Sequence, residues 1–195
     1  MVKKKILIVE GNTREENSEF TAVGINTHTE SLIESINFYK KDLDISIANP
    51  SSDNNLKNSI DSLDKYDGMI WGGSSLNIYN DTDEIRRQIS FMRECQLKIK
   101  KIFAICWGLQ VAVTVAGGQV KKSDKGAHRG IAHNIKVNNI GSNHKIYLNK
   151  KRQFNSPAFN FDEVVKIPEG ATLLSSNELN NVMGLNFKTN KSDIW

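Results

Sequence analysis

Over its first 120 residues the chain alternates short apolar runs with segments of helical spacing, and few folds accommodate that alternation. Lys5 to Val9 is a nearly continuous apolar run closed by Glu10-Gly11-Asn12, the pattern of a buried strand with a loop at its carboxyl end, where open α/β sheets hold ligands. Residues 12 to 28 are polar. Thr29 to Tyr39 then places Leu32, Ile33, Ile36 and Tyr39 at helical spacing. Leu43, Ile45 and Ile47 alternate as a second strand, Leu56 to Leu63 reads as a short helix, and Tyr66 to Trp71 is a third strand running into Gly72-Gly73-Ser74-Ser75. Asp81 to Leu97 predicts a helix with Ile85, Ile89, Met92 and Leu97 inward, and Lys101 to Ile105 a fourth strand. The architecture expected is α/β: a doubly wound, mostly parallel sheet with helices on both faces. After about residue 119 the pattern changes, and Ile131 to Val137, Ile146 to Leu148, Ala171 to Ser175 and Val182 to Phe187 predict a small antiparallel extension in the C-terminal half. At 195 residues, with no repeat or linker, one domain over residues 1–195 is expected.

The fourth strand delivers a single cysteine to a tight turn, in Ile102-Phe103-Ala104-Ile105-Cys106-Trp107-Gly108-Leu109-Gln110, and Leu109 to Ala116 suits a packed helix. A sharp strand-to-helix turn exposes its central side chain beside backbone N–H groups and the positive end of the helix dipole. Those conditions favour a thiolate and a developing oxyanion. The Gly72-Gly73 turn belongs on the same carboxyl edge. It lacks the lysine and spacing of a phosphate-binding loop. Trp71 and Trp107, flanking the two turns, read as pocket wall or core.

Composition excludes several classes. With 38% hydrophobic and 25% charged residues the chain is neither disordered nor fibrous. The formal charge of +4 comes from scattered lysines without interleaved aromatics, so no nucleic-acid partner is expected. No apolar stretch is long enough to span a bilayer and no export signal is visible, which excludes a membrane partner and makes the cytoplasm the expected compartment. Two cysteines, Cys95 and Cys106, on different predicted elements indicate neither a disulfide framework nor a metal site, and no cofactor is expected.

Tyr66-Asp67-Gly68-Met69-Ile70 leading into Gly72-Gly73-Ser74-Ser75, followed about thirty residues later by Ile105-Cys106-Trp107-Gly108-Leu109-Gln110, resembles the class I glutamine amidotransferases. The resemblance continues through Gly117-Gly118-Gln119-Val120, Ser123 to Val137, Ser156 to Val164, Ile167 to Ala171 and Leu174 to Asn177, which match the GMP-synthase-like branch. It implies a flavodoxin-like glutaminase domain in which Cys106 attacks the glutamine side-chain amide, ammonia leaves, and water resolves the glutamyl thioester. By position it implies an oxyanion hole from the backbone N–H groups of Gly73 and Trp107. It also implies substrate contacts at Gly72, Gln110, Phe159 and Asn160 and, for a partner, a separate synthetase or acceptor subunit. Asp162-Glu163 resembles a surface motif of the family.

Two departures from the family pattern stand out. Asn160 occupies a position where the branch has histidine, which bears on substrate fit. The family's Gly-x-Gln-x-His-Pro-Glu block, with its base histidine and orienting glutamate, is absent, and the chain stops where that block would begin. His28, His128, His133 and His144 read as exposed or satisfied, the catalytic His and Glu as missing from a C-terminally incomplete domain, and the edge beyond the extension as unpaired. The alternatives are a non-catalytic glutamine-binding or regulatory member and a gamma-glutamyl hydrolase.

Overall fold

A computed structural model of the chain describes residues 3–53 and 56–195; Met1 and Val2 of the N-terminal stretch lie outside them. In chain order the elements are β1 (Lys4–Val9), α1 (Arg14–Ala22), α2 (His28–Tyr39), β2 (Leu43–Ala48), α3 (Lys57–Asp61), β3 (Gly68–Trp71), α4 (Asp83–Lys98), β4 (Lys101–Ala104) and α5 (Trp107–Val115). There follow β5 (Gln119–Lys122), β6 (His128–Val137), α6 (Asn139–Ser142), β7 (Gln153–Asn160), β8 (Asp162–Lys166), β9 (Thr172–Ser176), β10 (Gly184–Lys188) and β11 (Asp193–Ile194). Nine strands form one sheet in the order β2-β1-β3-β4-β11-β10-β9-β6-β7, and β5 pairs with β8 in a separate ribbon.

The first five strands of that order are parallel and the pairs beyond β11 are antiparallel, so the expected extension continues the main sheet. Register aligns Val9 with Trp71 and Trp71 with Ala104, which brings the carboxyl ends of β1, β3 and β4 level. The Gly11, Gly72-Gly73 and Cys106 turns therefore emerge side by side. Beneath them Trp71, Phe91, Met92, Ile102, Trp107 and Val111 are fully buried.

Several expectations change. The polar stretch after β1 contains α1, because Thr13 and Glu16 form a reciprocal capping box that starts a helix without an apolar face. Thr27 and Glu30 do the same for α2. On α4 the inward stripe is Ile85, Gln88, Phe91, Met92, Cys95 and Gln96; Leu97 falls off that stripe and is exposed. Ile146 lies in a 3-10 turn over Lys145–Tyr147 rather than a strand. The edge expected to be unpaired is filled: β11 lies between β4 and β10, held by Asp193 N–H to Lys100 O (2.9 Å), Trp195 N–H to Ile102 O (3.1 Å) and Ala104 N–H to Trp195 O (2.7 Å). The open edges are β2 and β7.

Candidate functional site

Cys106 caps the N-terminus of α5 with φ +53° and ψ −103°, a conformation that costs a non-glycine residue energy and persists only where its surroundings enforce it. Ile105 N–H donates to Trp71 O (2.8 Å), and Gly108 N–H donates to Gly72 O (3.1 Å) and Ile105 O (3.0 Å), so the cysteine turn is tied to the glycine turn. A Cβ at Gly108 would lie 2.5 Å from Trp71 O, which is why only glycine lets α5 begin there.

A buried network beneath the two turns holds them in place. A Cβ at Gly11 would lie 2.7 Å from Gly73 O and 2.8 Å from Trp107 Cδ1. The fully buried Gln88 receives the Trp107 indole N–H (2.7 Å) and donates to Gly11 O (3.0 Å). Asn12 Oδ1 accepts the Ser75 N–H (3.2 Å), and Glu16 accepts the Ser75 hydroxyl. The loop after β1, expected to carry a ligand, instead packs beneath the glycine turn, with Gly11 and Asn12 buried. Gln88 and Asn12 carried no sequence signal. Gly11, directly after a buried strand, carried one, since close backbone approach is a recognised reason for glycine there.

The turns open into a cavity of about 650 Å³. Cys106, Gly72, Gly73, Gln110, Phe159 and Asn160 all line it, so six of the seven residues singled out from the sequence meet there. The seventh, Trp107, is buried as core, and its backbone N–H at the start of α5 acts on the Cys106 thiol by drawing its pKa down. The Gly73 N–H has no acceptor among the described residues. The Gln110 carboxamide oxygen is buried without a hydrogen-bond partner among them. Phe159 presents its carbonyl 4.0 Å from the Cys106 sulfur while its ring is 73% exposed. The Asn160 side chain is committed elsewhere, to the His128 ring (2.8 Å) and to Asp162 O (3.0 Å).

The thiolate expectation needs correction. Although Cys106 is exposed, the protein packed around its sulfur pushes the thiol above its ordinary pKa; the Trp107 N–H pulls it down, and the charge of Asp162 pushes it further up. Asp162 and Glu163 are not a surface motif: both are buried, and Asp162 lines the cavity. Burial also raises the pKa of Asp162, partly offset by the hydrogen bond it accepts from Tyr79 (3.1 Å). His128 is a satisfied core histidine, bonded to Asn160 and Asn177. One triplet, His28-Thr29-Glu30, places a glutamate two residues after a histidine. It is not an oriented pair: the Glu30 carboxylate accepts the Thr27 N–H (2.8 Å), and His28 lines the cavity with no hydrogen bond to its ring among the described residues. Among the described residues there is no group of side chains that could hold a metal ion, and no helix long and apolar enough to cross a membrane.

Residues 25–194 match the family model of the class-I glutamine amidotransferases. The chain belongs to the class I glutamine amidotransferase family. Within this family it is similar to the gamma-glutamyl-L-1-hydroxyisopropylamide hydrolase of a Pseudomonas species, 29% identical over 201 residues, covering 100% of this chain and 66% of the relative. It is 27% identical over 120 residues to a subunit of the glutamine-hydrolyzing GMP synthase of Sulfolobus acidocaldarius, covering 62% of this chain and 60% of the relative. The chain spans between about half and two thirds of the length of the curated relatives it matches. In fold it is similar to a glutamine amidotransferase from Thermotoga maritima, with a TM-score of 0.73 at 16% identity, covering 100% of this chain and 75% of that one. The fold is thus the flavodoxin-like α/β fold of class I amidotransferases.

Proposed function

We propose that residues 1–195 act as one unit that binds a gamma-glutamyl amide, glutamine in the simplest case, and presents its amide carbon to Cys106. The observation that carries this reading is the strained Cys106, set in one cavity with the Gly73 turn, whose N–H has no acceptor among the described residues, and with the Gln110 oxygen, which has no partner among them. In the proposed addition the sulfur bonds to the amide carbon and the carbonyl electrons move onto oxygen, where Gly73 and Trp107 donate. One such donor contributes about 3 kcal/mol to a transition state of this kind. The nitrogen takes up the proton that the thiol gives up, collapse breaks the C–N bond and releases ammonia, and water cleaves the thioester to glutamate, its other proton returning to the sulfur. The ammonia would pass to a separate synthetase or acceptor subunit, a reading supported by similarity to a protein named as part of a GMP synthase.

Proton transfer is the demanding part. The only hydrogen bond the Cys106 side chain donates among the described residues goes to the Phe159 carbonyl, which cannot take up a proton. Binding is therefore better supported than either thiol addition or turnover. The second reading, hydrolysis of gamma-glutamyl amides of larger amines, is favoured by the exposed Phe159 at a cavity far larger than a carboxamide needs, and by similarity along this whole chain to two thirds of a gamma-glutamyl-L-1-hydroxyisopropylamide hydrolase.

The test is protection of Cys106 from iodoacetamide, followed by intact mass, together with ammonia and amine release from L-glutamine and a gamma-glutamyl alkylamide. L-glutamine should slow alkylation of Cys106, and C106S should take up no label there. Equal alkylation rates with and without both compounds would overturn the reading. Protection without release would mark the non-catalytic, glutamine-binding form.

A further inference from the structure

A gamma-glutamyl group brings a carboxylate with it, and the cavity wall contains no lysine and no arginine among the described residues. Its ionisable side chains are Cys106, Tyr147, Asp162 and His28, of which only His28 can meet a carboxylate with a positive charge. A carboxylate taken from water into such a cavity needs donors; the wall offers neutral ones, among them the hydroxyls of Ser31, Ser74 and Ser156, and His28 is the side chain that can add a positive charge to them.

His28 is placed for that contact. It is the first residue of α2, its ring lies against that of Phe20 (centroids 5.5 Å apart), and neither ring nitrogen has a hydrogen-bond partner among the described residues. Nδ1 lies 3.6 Å from where a side chain would begin on Gly73, so the imidazole stands over the glycine turn that lines the cavity with Cys106. His28 is not within hydrogen-bond reach of the sulfur itself, whose partner is the Phe159 carbonyl at 4.0 Å, and this separates it from a base for the thiol. Ser31, one turn along α2, lines the same wall. The glutamate that follows, Glu30, is engaged at the helix cap and does not line the cavity.

We propose that His28 is the residue that recognises the α-carboxylate of the gamma-glutamyl substrate, donating a ring N–H to it beside the Gly73 turn. The inference rests on the gamma-glutamyl reading above. It makes His28 a specificity residue with no part in the chemical step.

The experiment measures equilibrium protection of Cys106 from iodoacetamide by three compounds: L-glutamine, 4-aminobutanamide, which lacks the carboxylate, and glutaramic acid, which lacks the amine. The chains are wild type, H28F, which keeps a ring against Phe20, and H28N, which keeps an N–H donor. In wild type, 4-aminobutanamide should need at least about 10-fold more than L-glutamine for half protection, as expected for a lost charge-assisted hydrogen bond. H28F should raise the requirement for L-glutamine and glutaramic acid by about 10-fold and leave that for 4-aminobutanamide unchanged, and H28N should restore part of the loss. An equal loss for all three compounds in H28F, or no loss for any, would overturn the role of His28 alone. Failure of L-glutamine to protect the wild-type chain would overturn the gamma-glutamyl reading and this inference with it.

Discussion

Gln88→Met tests whether the buried network under the two turns both stabilises the chain and positions the site. Gln88 is fully buried, and its carboxamide accepts the Trp107 indole N–H (2.7 Å) and donates to Gly11 O (3.0 Å). Methionine keeps the length and volume of the side chain, so little cavity or overpacking cost is added. What remains is two buried polar groups without partners, at about 1–3 kcal/mol each, or about 2–6 kcal/mol together. For a chain of this size that lowers the melting temperature by about 5–15 °C. Because Trp107 and Gly11 carry the two turns, the accessibility of Cys106 should change as well: protection by L-glutamine should weaken by more than the modest effect of a remote core substitution. Thermal unfolding monitored by circular dichroism gives the first number and iodoacetamide protection at 25 °C the second. The decisive control is a cycle with Trp107→Phe, which removes the indole N–H. If the two substitutions add within about 0.5 kcal/mol, the bond does not couple them and the argument is refuted.

Gly108→Ala places a methyl 2.5 Å from Trp71 O, so α5 must move by nearly an ångström; it should cost about 1–3 kcal/mol and weaken L-glutamine protection of Cys106 about 100-fold, read from the same two assays. Asp162→Asn removes the negative charge that raises the Cys106 thiol, so the midpoint of the alkylation rate against pH should move to lower pH. The same substitution has a signature in stability. Because burial raises the pKa of folded Asp162, its favourable contribution is fully present below the ordinary aspartate value and is lost as pH rises through the raised one. Chemical denaturation across that window should show Asp162→Asn gaining on wild type toward neutral pH, and a constant difference would contradict the assignment.

The parallel half of the fold was legible because β1, β3 and β4 lie inside the sheet and announce themselves as apolar runs, while the edge strand β2 announces itself by alternation. β1, β2, β3 and β4 fall within a residue or two of where the runs place them. The elements that escaped notice are those whose stability comes from elsewhere. Helix α1 has no buried residue and starts on a capping box, Thr13-x-x-Glu16, that is readable once looked for. Strand β7 alternates half-buried with exposed positions, is interrupted by Pro157 and lies at a sheet edge, where the apolar signal is weakest. Strand β11 is two residues long and is defined entirely by its partners β4 and β10.

The site divides along the same physical line. Residues proposed to act through backbone, Gly73 and Phe159 in the cavity wall and Trp107 in the core behind it, are fixed by the order of strands and turns, and the family resemblance of the motifs was enough to bring them to one place. Electrostatics could not be read that way. The sequence offered a cysteine at a helix N-terminus, and the helix end does help through the Trp107 N–H, yet the packing of the sulfur and the charge of Asp162 outweigh it and hold the thiol protonated. Asp162 is distant from Cys106 in sequence, and its effect depends on β7 turning sharply into β8 at Phe161. The consequence is mechanistic. A thiol held protonated cannot add to an amide until its proton has an acceptor, and substrate binding that displaces water from the cavity would raise that requirement further. In the proposed function, recognition of the gamma-glutamyl end and activation of the sulfur are therefore separate tasks, and it is for the first that the cavity wall offers residues.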